Sequence, residues 1–177
     1  MSAQATARKR PSARKRPRKP AAPKAGRPHM PGYGVVAGSR GLLPWSWAAR
    51  RLAQSRTYWL VTVRPNGAPH VMPVWGLWFE NAFYFSTGPR SRKARNLAAN
   101  RRCVVCADDA EQAVIVEGTA RVARDKALLK RLAGPYAAKY KPWKLDPALG
   151  PVYAVQPRVV FGLWEQKFQA SATRWTL

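Results

Sequence analysis

Acidic residues are scarce in this chain: its 177 residues hold 8 Asp and Glu against 32 Lys and Arg, a formal net charge of +24. That balance suits an anionic ligand, either a phosphorylated small molecule or nucleic acid. Metal ligands are scarce too. There are 2 histidines and 2 cysteines, whereas a structural zinc site needs four such ligands, so no metal is expected. The cysteines form a C-x-x-C in Arg102-Cys103-Val104-Val105-Cys106-Ala107. Redox pairs of this spacing open a helix, which lowers the thiolate pKa. Here the run is β-branched and predicts a strand, so the two thiols point to opposite faces and are read as inert. No apolar run approaches the roughly 18 residues of a membrane helix, and the start lacks the apolar stretch of a secretory signal. The basic, acid-free start shares its composition with transit peptides, but Pro11, Pro17, Pro20 and Pro23 spoil an amphipathic helix. A cytoplasmic protein without membrane contact is expected.

The charge that is present falls unevenly. Residues 1–30 carry ten cations and no acid, leaving a net +14 on residues 31–177. The first segment is rich in Arg, Lys, Pro and Ala with no apolar periodicity. It cannot bury enough surface to offset chain entropy, so a disordered basic tail is predicted over 1–30 and one domain over 31–177. Arg14-Lys15-Arg16-Pro17-Arg18-Lys19 in this tail is a dense cationic arm suited to non-specific nucleic-acid contact.

Beyond a glycine-rich lead-in over Pro31–Gly41, Ser46 is read as the N-cap of a helix reaching about Ser55. Strands are predicted at Thr57–Arg64, Pro69–Phe79, Ala82–Thr87, Arg102–Ala107, Ala113–Arg124, Val152–Gln156, Val159–Trp164 and in Ser171–Leu177. Pro65-Asn66-Gly67 is a hairpin turn, and Gly118 marks a bulge or bend. Helices are predicted at Ser91–Asn100 and from an Asp125 cap to Tyr140. No repeat is visible. The pattern is mainly β, an antiparallel barrel with peripheral helices.

Two places stand out. Phe83–Leu97 reads as an aromatic strand, a Gly88-Pro89 break and a helix opened by Ser91. Arg92 and Lys93 then fall in the first helical turn, where the macrodipole disfavours cations. They either face a docked phosphate, which backbone N–H groups would also hold, or form a solvated basic helix start. The second place is Val71-Met72-Pro73-Val74-Trp75-Gly76, a strong strand carrying a proline and a glycine. Pro73 removes a ladder donor and belongs at an edge or bulge, and Gly76 permits a close approach. Such rule-breaking marks either a functional site or an edge blunted against aggregation.

These segments resemble the flavin-binding split-barrel family that includes pyridoxamine 5'-phosphate oxidase and the deazaflavin-dependent reductases. The resemblance rests on Val61–Trp75, on Phe83–Leu97 with its Ser-Arg-Lys-Ala core, on Val116-Glu117-Gly118-Thr119-Ala120 and on Ala172-Thr173-Arg174-Trp175. It covers about residues 45–177 and implies a homodimer of six-stranded split barrels with cofactor at the subunit interface. Residue by residue, it implies that Arg92 and Lys93, with Ser91 beside them, hold the cofactor phosphate. Ser86 and Thr87 would touch the ring or ribityl chain, and the backbone of Val71, Met72, Pro73, Val74, Trp75 and Gly76 would line the isoalloxazine. The oxidase branch places a basic residue at each end of that lining strand, where this chain has Val71 and Gly76. The stretch corresponding to the oxidase's substrate-phosphate segment reads Ala133-Gly134-Pro135-Tyr136-Ala137-Ala138-Lys139-Tyr140. The Met-Pro-Val-Trp lining is more similar to the branch that uses the deazaflavin coenzyme F-420, with FMN the alternative cofactor.

The function this implies is an oxidoreductase giving hydride to a small electron-poor substrate. No residue is read as its acid or base. Trp75, Trp78 and Trp164 either shape an aromatic pocket or pack in the core. The alternative function is a non-catalytic barrel that holds cofactor or a haem-like ligand, with a nucleic-acid-binding tail.

Overall fold

Residues 22–177 are described by the structure, a computed structural model. Its elements run β1 (Lys24–Gly26), α1 (Trp45–Gln54), β2 (Tyr58–Val63), β3 (Pro69–Val74), β4 (Gly76–Phe79), β5 (Ala82–Ser86), α2 (Arg92–Ala99), β6 (Arg102–Ala107), β7 (Gln112–Val122), α3 (Lys126–Tyr140), β8 (Val152–Trp164), a short 3-10 turn, α4 (Phe168–Ser171) and β9 (Thr173–Thr176). Every strand pairing is antiparallel. Hydrogen-bonded order is β1-β9-β8-β7-β6-β2-β3, with β5 also on β8 and β4 on β5. Among the described residues no helix is long and apolar enough to cross a membrane.

The expected barrel strand Pro69–Phe79 is two strands, broken at Trp75, because β3 pairs with β2 and β4 with β5. Conversely, the two short strands expected over 152–164 are one of 13 residues. Pro157, which cannot donate to a ladder, falls at a β-bulge where Gly118 faces it and Glu117 faces Val159. A Cβ on Gly118 would collide with the Gln156 carbonyl, so the bulge requires glycine. With β3 and β4 taken as one bent strand, the sequence of pairings from β2 through β8 gives the six expected barrel strands. β1 and β9 extend the sheet past them, and the ring of pairings is interrupted at Trp75, where β3 passes into β4.

β1 corrects the tail boundary. The disorder expected over 1–30 fails at its last residues: Lys24 faces Thr176 and Gly26 faces Arg174. Arg27 then donates to four carbonyls, those of Gly38 (3.0 Å), Arg40 (2.6 Å), Ala170 (2.8 Å) and Ala172 (3.0 Å). Low hydrophobicity did not matter here, because the free edge of β9 accepts a strand through its backbone and a guanidinium satisfies carbonyls directly. The rest of the expected tail, residues 1–21 with the cationic arm, lies outside the described residues.

Local signals mostly hold. Gly67 takes φ 83° in the hairpin turn, with its N–H on the Arg64 carbonyl at 2.9 Å. Ser91 caps α2 by accepting from Ala94 N at 3.2 Å, and Asp125 caps α3 through Ala127 N at 2.9 Å. Ser46 is not a cap. Helix α1 begins two residues earlier than that cap implies, at Trp45 after Pro44 in extended conformation, with no side-chain cap bond.

The barrel interior holds Leu52, Tyr58, Leu60, Phe83, Phe85, Val105, Val114, Val116, Val155 and Trp175. Trp45 bridges Trp78 (6.0 Å) and Trp175 (5.6 Å) edge to face, and Trp164 packs on the same core. A second cluster lies under α3, where Leu132, Tyr136 and Tyr140 pack on Leu77, Ala82 and Tyr84 of β4 and β5.

Candidate functional site

Three chain segments meet where β3 ends, β5 ends and α2 begins. Between them is a cleft of about 340 Å³ lined by Thr57, Pro73, Val74, Trp75, Ser86, Thr87, Lys93 and Tyr136. Six of the residues singled out from the sequence, Pro73, Val74, Trp75, Ser86, Thr87 and Lys93, are thus brought together. Ser91 joins them through its hydroxyl, 3.1 Å from that of Thr87. The β5 end is fixed from behind, because a Cβ on Gly150 would meet the Thr87 carbonyl oxygen at 2.5 Å.

The helix start has the features an anion needs. The first helical bond runs from Arg95 N to Ser91 O at 3.1 Å, so the N–H groups of Arg92 and Lys93 precede the ladder and have no partner within it. Ser91 Oγ is already engaged by Ala94 N. Arg92 is exposed and does not line the cleft, whereas Lys93 is half-buried within it. Both cations reach His70 electrostatically. Burial lowers the His70 pKa first, and the charges of Arg64, Lys93 and Arg92 lower it further.

The remaining sequence candidates are placed otherwise. Val71 and Met72 are exposed and outside the cleft. Val71 pairs with Val61 and Pro73 with Trp59, so they share one outward sheet face with these residues. Gly76 does allow a close approach, but to its own chain: a Cβ there would strike the Phe83 ring and the Tyr84 carbonyl. Of the three tryptophans, Trp75 reaches the cleft while Trp78 and Trp164 serve the core.

Sequence reasoning missed the end of α3. Tyr136, Lys139 and Tyr140 are spaced i, i+3, i+4, which sets them on one helix face. That spacing was the available signal. The Tyr140 hydroxyl accepts from Gly76 N at 2.9 Å and lies 2.7 Å from the Arg56 carbonyl and 2.9 Å from that of Gly76, with one proton to give. Lys139 Nζ donates to the Tyr58 hydroxyl (2.8 Å), Gly76 O (3.2 Å) and Ala53 O (3.3 Å). Trp75 stacks on Tyr140 with centroids 5.0 Å apart and planes 12° apart, so the bend between β3 and β4 is clamped from one side. Burial pushes the Lys139 pKa down to about 8, Asp108 opposing and Arg56 adding to this. Burial likewise raises Tyr140 to about 12 and raises Tyr58 and Tyr136. These phenols stay protonated donors.

Asn96 anchors α2 to the barrel, its Nδ2 donating to Thr62 Oγ1 at 2.9 Å. Both cysteines are free thiols, and burial raises Cys103 to about 12 and raises Cys106 as well. Among the described residues no cluster of three His, Cys, Asp or Glu is present.

The family model described as pyridoxamine 5'-phosphate oxidase matches residues 48–163. Among solved structures, an F420 reductase is 24% identical with a TM-score of 0.51, the match covering 63% of this chain and 93% of the other. A conserved hypothetical protein, Rv2991, from Mycobacterium tuberculosis is 21% identical with a TM-score of 0.60, covering 76% and 89%. A FAD-binding protein from Mesorhizobium loti is 17% identical with a TM-score of 0.53, covering 76% and 96%. At these identities the structures attest a shared fold. Among curated protein sequences none matches. The family match spans more than half of the chain, across the strands and the helix start that build the cleft, and the chain belongs to the pyridoxamine 5'-phosphate oxidase family.

Proposed function

We propose that this chain is a flavin- or deazaflavin-dependent oxidoreductase that delivers hydride to a small electron-poor acceptor, with the deazaflavin coenzyme F-420 preferred over FMN. The observation that carries the reading is the convergence of Pro73, Val74, Trp75, Ser86, Thr87 and Lys93 on one cleft. The residues present fit such a cofactor. The N–H groups of Arg92 and Lys93 and their side chains would hold its phosphate, and the Ser86 and Thr87 hydroxyls would hold the polar chain beyond it. The β3 end at Pro73–Trp75 would flank the ring. The bound ring would supply the redox chemistry, and the protein binding and orientation. Val71 and Gly76 give this chain no charge beside the ring, which supports the reductase reading over pyridoxamine 5'-phosphate oxidation.

A homodimer completes the proposal. Trp59 and Val71, 46% and 52% exposed, belong to the outward apolar face of β2 and β3. An apolar face of this kind supports burial against a second copy, which would bring the exposed side of β3 against a partner's cofactor.

The test is a pair of titrations of purified protein with FMN and with the deazaflavin, followed by absorbance and fluorescence. The protein is expected to purify colourless, to bind reduced deazaflavin more tightly than FMN, and to reduce an activated C=C without acting on pyridoxamine 5'-phosphate. Stoichiometric FMN on the purified protein overturns the cofactor ranking. Tight binding without turnover favours the non-catalytic barrel.

A further inference from the structure

A second groove lies on the other side of α2 from the capping end. It has a volume of about 420 Å³ and is lined by Leu97, Ala98, Arg101, Ala120, Arg121, Val122, Arg124 and Tyr153. Backbone pairing is what assembles it. Ala120 N donates to Arg101 O at 2.8 Å, which sets the turn after α2 against the end of β7, and Val122 faces Tyr153 across the β7–β8 ladder.

Three arginines, Arg101, Arg121 and Arg124, line the groove. All three arginines are exposed, and among the described residues none of their side chains has a hydrogen-bond partner; the ion pair found there is Arg131–Glu80, elsewhere. The neighbouring acid, Asp125, is engaged in capping α3. Gathering like charges without a counter-ion is unfavourable, and arginine forks match phosphate in geometry.

Tyr153 is an independent pointer. It is more than nine-tenths buried and is stacked on Phe85 at 5.2 Å and 13°. Yet it forms part of the groove wall, and its hydroxyl has no partner among the described residues. The oxygen itself is not buried, so it opens on the groove with its proton free to donate.

We propose that this groove is a second anion site that takes a phosphorylated ligand of nucleotide size. Arg101, Arg121 and Arg124 hold its phosphates, the Tyr153 hydroxyl donates to it, and its apolar part lies on Ala98 and Val122. The volume is in the range of small-molecule sites. Lys93 of the first cleft and Leu97 of the groove are about one turn apart on α2, about 6 Å along its axis, so ligands in the two sites would press on the same helix. The proposal does not depend on the redox reading of the first cleft.

ATP is the probe, titrated calorimetrically into the full chain at fixed salt, alone and with saturating FMN. Arg101→Ala/Arg121→Ala/Arg124→Ala is expected to weaken ATP binding at least tenfold. Tyr153→Phe, which keeps the ring and the fold, is expected to weaken it several-fold. The control Arg40→Ala/Arg50→Ala/Arg158→Ala removes the same charge elsewhere and is expected to leave affinity within about twofold. Equal losses in both triple variants mean that diffuse charge alone attracts ATP, and overturn the site. Competition between ATP and FMN for one site overturns it too. If the groove triple weakens the acid-tailed deazaflavin but not ATP, the groove belongs to the cofactor, and the nucleotide occupant is overturned. A single-stranded RNA that binds more tightly than ATP and is lost in the groove triple does the same.

Discussion

Lys139 and Lys93 both approach the barrel from a helix, and they meet opposite surroundings. Lys139 has a partner for each of its three donors: two backbone carbonyls and the Tyr58 hydroxyl. Burial presses against its charge. Lys93 has no hydrogen-bond partner among the described residues. It lines an open cleft beside two hydroxyls and sits at a helix start whose N–H groups are free. A cation whose donors are all taken by the fold fastens elements together. A cation left with free donors beside other free donors is available to an anion. The same contrast separates Arg27, with four carbonyls, from Arg101, Arg121 and Arg124 in their groove.

The sharpest way to break this contrast is at the free pair. Arg92→Ala/Lys93→Ala removes two charge-assisted contacts worth about 1.5–3 kcal/mol each. Cofactor affinity should fall at least roughly a hundredfold in a fluorescence titration, with little change in melting temperature. Equal affinities would place the phosphate elsewhere. The engaged cations should give the reverse result. A chain beginning at Pro31 lacks β1 and the Arg27 clamp that a chain beginning at Ala22 keeps. It should be less stable by about 2 kcal/mol, on the scale of one or two charged hydrogen bonds, while cofactor affinity holds. Arg27→Ala alone should reproduce most of that loss in a denaturant melt, and unchanged stability would show the clamp to be idle.

Ser91→Ala is a smaller probe that touches both sides of the contrast. It removes the α2 cap, at about 1 kcal/mol, and the contact with Thr87. Stability and cofactor affinity should therefore drop together. The smallest effect is a slope against pH. The Lys139 pKa lies at about 8 in the fold, below its ordinary 10.5, so between those values the unfolded chain binds more protons than the folded one. Stability then rises with pH across that window, and below pH 8 the buried charge is a constant penalty. Relative to Lys139→Met, the wild type should gain stability from pH 8 to 10.5. A flat difference between the two would mean that Lys139 titrates as an ordinary surface lysine.

How far the molecule was legible in its sequence differs from place to place for physical reasons. The helix start was legible because caps and glycine-proline breaks are local, so Ser91, Arg92 and Lys93 could be placed from spacing alone. The bulge at Gly118 was legible for the same reason. The break at Trp75 was not, because it arises when β3 and β4 choose different partners, which no run of residues declares. The boundary near residue 22 was hidden as well, since β1 is held by the edge of β9, a strand from the far end of the chain. Lys139 and Tyr140 were missed because their partners, Ala53, Arg56, Tyr58 and Gly76, are more than sixty residues away in sequence. Within the cleft, residue types and order were enough to name six of the lining residues. Which of Val71 to Gly76 face it depended on the β3 pleat and on the bend that follows.

Strand β8 has a consequence for how the molecule comes apart. Along one edge it pairs with β7 for its whole length, and along the other with β5 at its start and β9 near its end. The cleft side and the N-terminal edge therefore share one continuous backbone. Amide exchange in β8 should be the slowest in the protein, open only through global unfolding. A probe on β1 would report fraying of the outermost strand, and a probe on β5 would report the whole cooperative unit.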